Sequence, residues 1–200
     1  MKYQDFKNII NKPYFSVLDI YIQKLRVYSY QISYWQKNGY IGKLKKGFYY
    51  FKDQAENIDS KEISFFIYQP SYISLETALN IYGIIPEMVY SNTAVTTKIN
   101  RKINNYFGNF YYRHIHSKLF FGYNSVSTKS GKYLIAEPEK ALLDYFYLNL
   151  GQINNLQDLE SLRFNFQEIK KMDRKKINKY LEEFSIKKLD KMINLLLTLC

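Results

Sequence analysis

The sequence predicts an α+β protein, and three observations along the chain support that fold class. Before residue 40, apolar residues recur at the i, i+3, i+4 spacing that is typical of amphipathic helices. From Val89 to Ile135, short runs of β-branched and aromatic residues alternate with turn signals, which predicts strands. From Glu137 onward the helical spacing returns. The chain is therefore predicted to run from helices to a sheet and back to helices.

Three short helices are predicted before residue 39. The first covers residues 2–10, the second Val17–Leu25 and the third Ser29–Asn38. Ser16 is a good N-cap for the second helix, and Asp19 stands at the capping-box position. The apolar stripe of that helix consists of Leu18, Tyr21, Ile22 and Leu25.

The third helix has two different faces. Its apolar stripe contains Trp35, which we expect to lie in the core, while the opposite face carries hydroxyls, aromatic rings and a cation. Gly39 is the predicted helix stop, and residues 40–51 form a predicted hairpin with lysines. A helix followed by such a hairpin is the second half of a winged helix-turn-helix, which we assign to residues 1–56. The outward face consists of Tyr30, Ser33, Tyr34 and Lys37.

Residues 57–200 are predicted to form an α+β domain with an antiparallel sheet of about four strands and C-terminal helices. Lys52–Lys61 is expected to be the linker before it. The run 62–68 fits either a helix or a buried strand. Ser74 is the expected N-cap of a helix, and Glu137 with the following proline begins another. The expected strands contain Val95–Thr97, Phe110–Tyr112, Leu119–Phe121 and Tyr133–Ile135.

The charge of the chain favours an anionic partner. Lys and Arg number 29 against 18 Asp and Glu, which gives a net charge of +11. Nucleic acid is the preferred partner, an acidic membrane surface is less favoured, and a basic protein without either is the alternative. Both parts of the chain are basic, so charge alone does not single out the N-terminal part. The basic C-terminal helices are either a solvated surface or a second phosphate-binding surface.

Neither catalysis nor a cofactor is expected. The only cysteine is Cys200, so no disulfide can form within the chain, and no signal peptide or bilayer-spanning run is evident, which favours the cytoplasm. His114 and His116 lack nearby ligands that would complete a metal site. None of the usual phosphate-binding or hydrolytic motifs occurs.

Four segments of the chain form a recognisable series. They are SYWQKNGYIGKLKKGFYYF at Ser33–Phe51, PSYISLETALNIYGIIPE at Pro70–Glu87, YRHIHSKLFFGY at Tyr112–Tyr123 and AEPEKALLDYFY at Ala136–Tyr147. Together, and in this order, they resemble the AbiEi family of antitoxins, which are also transcriptional regulators of viral defence systems.

The resemblance implies an N-terminal winged-helix DNA-binding domain and a C-terminal antitoxin domain. It implies repression of the protein's own promoter at inverted repeats in double-stranded DNA. It also implies neutralisation of a nucleotidyltransferase-type toxin without a stable complex, as in type IV toxin–antitoxin systems. Tyr34 departs from the family, in which the residue before the tryptophan is often basic. Lys45 and Lys46 stand where arginines are frequent, and lysine lacks the planar fork that arginine offers to bases.

The resulting hypothesis is a non-enzymatic DNA-binding regulator, and two rivals remain. One rival is a protein–protein interaction module; the other is a nucleic-acid-modifying enzyme that uses Glu137, Glu139 or Asp144. The oligomeric state is left open, because two monomers are able to occupy an inverted repeat. In the favoured hypothesis, the residues that contact bases or phosphates are Tyr30, Gln31, Ser33, Tyr34 and Lys37 on the helix, with Lys43, Lys45 and Lys46 on the wing.

Overall fold

The computed structural model describes residues 1–153 and 155–199. The helical spacing near the C-terminus predicts an apolar stripe of Leu189, Met192, Ile193, Leu196 and Cys200, and Cys200 lies outside the described residues. The first part of the chain forms three helices and a three-stranded antiparallel sheet of order β1-β3-β2. The elements are α1 Tyr3–Ile10, β1 Tyr14–Ser16, α2 Val17–Ile22, α3 Ser29–Lys37, β2 Ile41–Lys45 and β3 Phe48–Phe51.

The remainder of the described chain forms a six-stranded sheet with helices packed against it, which confirms the α+β class. The tail is helical, as predicted. The elements are α4 Ser60–Ile67, β4 Ser71–Ile73, α5 Leu75–Ile81, β5 Ser91–Thr96, β6 Arg101–Asn105, β7 Gly108–His114, β8 Tyr123–Ser127, β9 Lys132–Ala136, α6 Pro138–Leu148, α7 Leu156–Ser161, α8 Phe166–Lys170, α9 Arg174–Phe184 and α10 Lys187–Thr198.

The larger sheet is mixed, so the prediction of an antiparallel sheet was wrong. Its strand order is β6-β7-β5-β4-β9-β8, and the pairs β5–β7 and β4–β9 are parallel. The chain reverses direction twice between β5 and β7, and β6 lies at the sheet edge rather than between them. Leu119–Phe121 is not a strand: a 3-10 helix over Ser117–Leu119 ends there, and Leu119 is buried in the core.

The predicted linker is not an open connection. Lys52–Asn57 forms a 3-10 helix, and Ala55 and Ile58 are buried in the larger core. The ambiguous run that follows is helical, since it lies within α4 apart from Tyr68 at the helix C-cap. Side chains from both sides of residue 56 share one core. The domain boundary predicted there therefore stays a prediction.

Two clusters of buried apolar side chains hold the molecule together. The smaller cluster lies between α1, α2, α3 and the three-stranded sheet, and it contains Trp35, which is only 4% exposed as predicted. The larger cluster fills the rest of the molecule, and it also includes Tyr14, Leu44 and Tyr50 from the three-stranded sheet. That sheet therefore contributes side chains to both clusters. A Cβ at Gly42 would lie 2.2 Å from the Tyr50 ring, so a glycine is needed at this close approach.

Most of the apolar stripe predicted for α2 faces solvent instead of the core. Leu18, Tyr21 and Ile22 are 62%, 79% and 65% exposed, whereas Ile20 is the buried residue of this helix. The Ser16–Asp19 capping box is present as predicted, and the Val17 N–H donates to the Gly47 carbonyl. These bonds fix the rotation of the six-residue helix against the hairpin, and that rotation places Ile20 inward.

Within the described ranges, no helix has both the length and the apolar character that crossing a membrane requires.

Candidate nucleic-acid interface

Helix α3 is held by one buried face. Trp35 stacks on the ring of Phe6 with centroids 5.0 Å apart, and it meets the ring of Tyr3 edge-on at 5.6 Å. Ile32 is buried one turn earlier. The helix ends at Lys37, and Gly39 adopts φ +78°, a left-handed conformation that glycine accepts without steric strain. The orientation of α3 is therefore set by its core side.

The opposite face of α3 is open to solvent. Tyr30 and Tyr34 are 68% and 59% exposed, and Ser33 and Lys37 are exposed beside them. The Ser33 hydroxyl donates to the Ser29 carbonyl at 3.0 Å, which leaves its oxygen able to accept a further hydrogen bond. The structure thus brings four of the five predicted helix residues together on one accessible surface.

Gln31, the fifth predicted residue of this helix, is half-buried and has its amide engaged. Its Nε2 donates to the Met1 carbonyl at 2.8 Å, and its Oε1 accepts from the Tyr28 N–H at 3.0 Å. The second bond satisfies a backbone donor at the start of α3, where the helix itself supplies no acceptor. These bonds hold the Gln31 amide against the N-terminus and the start of α3.

A concave aromatic surface adjoins the open face of α3. Tyr30 and Tyr34 line a cavity of about 450 Å³ together with Tyr3 and Tyr40, whose rings stack at 4.8 Å. Burial raises the pKa of Tyr3 to about 12, and its hydroxyl donates to the Tyr40 carbonyl at 3.4 Å. Periodicity did not reveal Tyr3 or Tyr40, because they come from different elements.

The three lysines of the hairpin have different environments. Lys43 and Lys46 are exposed, whereas Lys45 is half-buried with its Nζ 4.1 Å from the centre of the Phe48 ring and 5.7 Å from that of Tyr68. Burial lowers the pKa of Lys45, and the nearby Lys98 and Arg101 charges lower it further. None of the three makes an ion pair within the part of the chain that the structure describes.

Asp144, one of the carboxylates that the enzymatic alternative would use, is enclosed in the protein interior. Asp144 and Lys140 are fully buried and form an ion pair, and Asp144 accepts hydrogen bonds from the hydroxyls of Tyr72 and Ser74, each at 2.9 Å. Ser74 lies at the N-cap of α5, as predicted, but its side chain makes no capping bond. Burial raises the pKa of Asp144 and lowers that of Lys140, and their mutual attraction opposes both shifts. This enclosure is typical of a structural pair.

The other carboxylates of the enzymatic rival are bound to the start of α9. Glu137 accepts from the Tyr180 hydroxyl at 2.5 Å and lies 2.9 Å from Lys176 Nζ, and Glu139 accepts from the Asp173 N–H at 3.1 Å. These contacts hold α9 against the beginning of α6. They assign the two glutamates a packing role.

The two histidines contact the backbone rather than each other. His114 Nδ1 lies 3.0 Å from the Lys98 carbonyl oxygen, and His116 Nδ1 accepts from the Lys118 N–H at 3.3 Å. Across residues 1–153 and 155–199, no three His, Cys, Asp or Glu side chains come together in a way that suits a metal ion.

Known proteins add no functional evidence. No protein-family model matches the chain, and no match is found among curated proteins. The geometry of α3 and the hairpin therefore carries the functional hypothesis.

Proposed function

We propose that residues 1–56 form a winged helix-turn-helix that binds duplex DNA, with α3 as the reading helix and the β2–β3 hairpin as the wing. The order α1-β1-α2-α3-β2-β3 and the antiparallel sheet β1-β3-β2 support this proposal. The observation that carries the proposal is that α3 has two different faces. Trp35 and Ile32 lie inward, while the outward face is polar, aromatic and cationic. The hairpin lysines beside that outward face have no acidic partner among the described residues.

The two groups of residues have separate roles in this proposal. Tyr30, Ser33, Tyr34 and Lys37 enter the major groove, where hydroxyls and an ammonium meet base edges and flanking phosphates. Lys43 and Lys46, with Lys45 behind them, contact backbone phosphates. Because phosphate contacts carry no sequence information, affinity comes mainly from the wing and base preference from the helix.

We further propose that the protein is a non-enzymatic type IV antitoxin that represses its own promoter. It would bind inverted repeats in that promoter and counteract a nucleotidyltransferase-type toxin without a stable complex. The four family-like segments support this role. Three of them lie in separate elements of the second part of the chain, where Asp144 of AEPEKALLDYFY bonds to Tyr72 and Ser74 of PSYISLETALNIYGIIPE.

The direct test is binding to the DNA upstream of the protein's own reading frame. We expect retardation of that duplex at lower protein concentration than a mixed-sequence duplex of equal length. Co-expression with the product of a neighbouring nucleotidyltransferase gene should restore growth that the toxin arrests. Equal affinity for both duplexes would contradict promoter recognition, and persistent growth arrest would contradict the antitoxin role.

A second candidate function, a protein–protein interaction module, is favoured by the exposed apolar face of α2. Leu18, Tyr21 and Ile22 are exposed on this one short helix, and large exposed apolar patches mark partner sites. This candidate predicts a stoichiometric protein partner that co-purifies with the chain and no shift of duplex DNA. Leu18→Ser together with Tyr21→Ser should then release that partner without unfolding the protein.

A further inference from the structure

The wing is fixed to the edge of the six-stranded sheet. Tyr50 of β3 stacks on the ring of Tyr106 at 5.6 Å and meets the ring of Phe107 edge-on at 5.0 Å. Asn105 Nδ2 donates to the Leu44 carbonyl at 3.4 Å. The wing and the β6–β7 hairpin therefore present one joined surface, and a ligand that contacts one lies close to the other.

Cations from both sides meet at this junction. Lys45 of the wing and Lys98 of the β5–β6 connection hold their Nζ atoms 5.7 and 5.8 Å from the centre of the same Tyr68 ring. Arg101, the first residue of β6, is close enough to act on Lys45 electrostatically. Lys98 and Arg101 are exposed.

The cations at this junction lack the carboxylate partners that other lysines of this chain have. Lys7 pairs with Asp53, and Lys61 lies 2.9 Å from a carboxylate oxygen of Asp59. In the described residues, Lys45, Lys98 and Arg101 make no ion pair, although like charges at short range repel one another. An anion placed between them would relieve that repulsion.

We propose that Lys98 and Arg101 bind the phosphodiester backbone of the same duplex that the wing holds. This inference rests on the proposed function, and it places part of the DNA-binding surface in the second part of the chain. Arg101 offers the planar fork that suits two phosphate oxygens, which the lysines of the wing lack. The contacts are to backbone only, so they extend the length of DNA covered without adding base preference.

The test uses the full chain with Lys98→Gln and Arg101→Gln, which removes both charges but keeps a polar side chain at each position. The matched control is Lys129→Gln with Lys132→Gln, two exposed cations around the β8–β9 turn at the opposite edge of the same sheet. Affinity for the promoter duplex and for a mixed-sequence duplex is measured over a range of salt concentrations.

We expect the Lys98/Arg101 variant to lose the same fold affinity for both duplexes. Its slope of log affinity against log salt should be shallower by about 1.8, or about 0.9 for each lost contact, while the control keeps the wild-type slope. A wild-type slope and affinity in the variant would overturn this inference but leave the winged helix standing. Wild-type protein without salt-dependent duplex binding would instead refute the proposed function.

Discussion

Lys140 and Lys45 both lie among aromatic rings, and they differ in the charged groups that surround them. Lys140 Nζ lies 5.1 Å from the ring centres of Phe121 and Phe184, is fully buried and pairs with Asp144. Lys45 Nζ lies 4.1 Å from that of Phe48, is half-buried and has cations rather than carboxylates as charged neighbours. Lys140 has its own carboxylate inside the fold, whereas Lys45 makes no ion pair in the described residues and is available to an external anion.

The largest expected effect concerns the buried ion pair between Lys140 and Asp144. Asp144→Ala leaves Lys140 buried without its counter-charge, and it also leaves two hydroxyls without their acceptor. We expect a loss of roughly 3–5 kcal/mol in the free energy of unfolding, measured with chemical denaturant. The double variant Lys140→Met with Asp144→Leu should lose clearly less. Single and double variants of equal, wild-type-like stability would contradict a structural ion pair.

The next effect separates the two faces of α3. Trp35→Ala removes the largest side chain of the smaller core and should lower the free energy of unfolding by roughly 3–5 kcal/mol. Tyr34→Ala, the adjacent exposed residue, should change it by no more than about 0.5 kcal/mol while weakening DNA binding. Thermal melting and duplex titration of both variants distinguish the faces. Native-like melting of the Trp35 variant would show that the inward face is wrongly assigned.

A smaller effect compares the wing lysines. Lys45→Ala with Lys46→Ala should weaken binding to every duplex by about the same factor, because these contacts are to phosphates. Lys43→Ala with Lys46→Ala should do the same and leave the melting temperature unchanged, since both side chains are exposed. The first pair should also lower the melting temperature slightly, because Lys45 packs on Phe48. Normal duplex binding by both pairs would remove the wing from the interface.

The smallest effect concerns base preference. Ser33→Ala should change which duplex is preferred and alter affinity for mixed-sequence DNA little, as expected for a contact to a base edge worth about 1–3 kcal/mol of discrimination. Gln31→Ala should leave that ranking unchanged and should lower stability, because the Gln31 amide bonds to the Tyr28 N–H and the Met1 carbonyl. Binding to a panel of promoter duplexes with single base changes measures both. An unaltered ranking for Ser33→Ala would place Ser33 outside the groove.

Local signals in the sequence predicted the local structure. The Ser16–Asp19 capping box and the glycine after α3 depend on residues within one turn, and the inward position of Trp35 follows from the helical spacing of its apolar stripe. Such features follow from backbone sterics and short-range hydrogen bonds, which a sequence displays directly.

Features that depend on distant pairing were missed. β4 has three residues and β6 reads RKINN, so neither has a strand-like apolar pattern, and their place depends on partners far along the chain. The rotation of α2 is fixed by a bond to Gly47 in the hairpin. The junction between the wing and Arg101 likewise arises from packing between β2 and β6, and no sequence motif predicts that packing.

The measurement that tests the central proposal most directly is the salt dependence of duplex affinity for the wild-type chain. Neutralisation of about four phosphates by Lys37 and the wing lysines predicts a slope near −3.6 in log affinity against log salt, and the contacts of Lys98 and Arg101 would make it steeper. A slope near zero on promoter DNA would contradict a cationic surface that binds the DNA backbone.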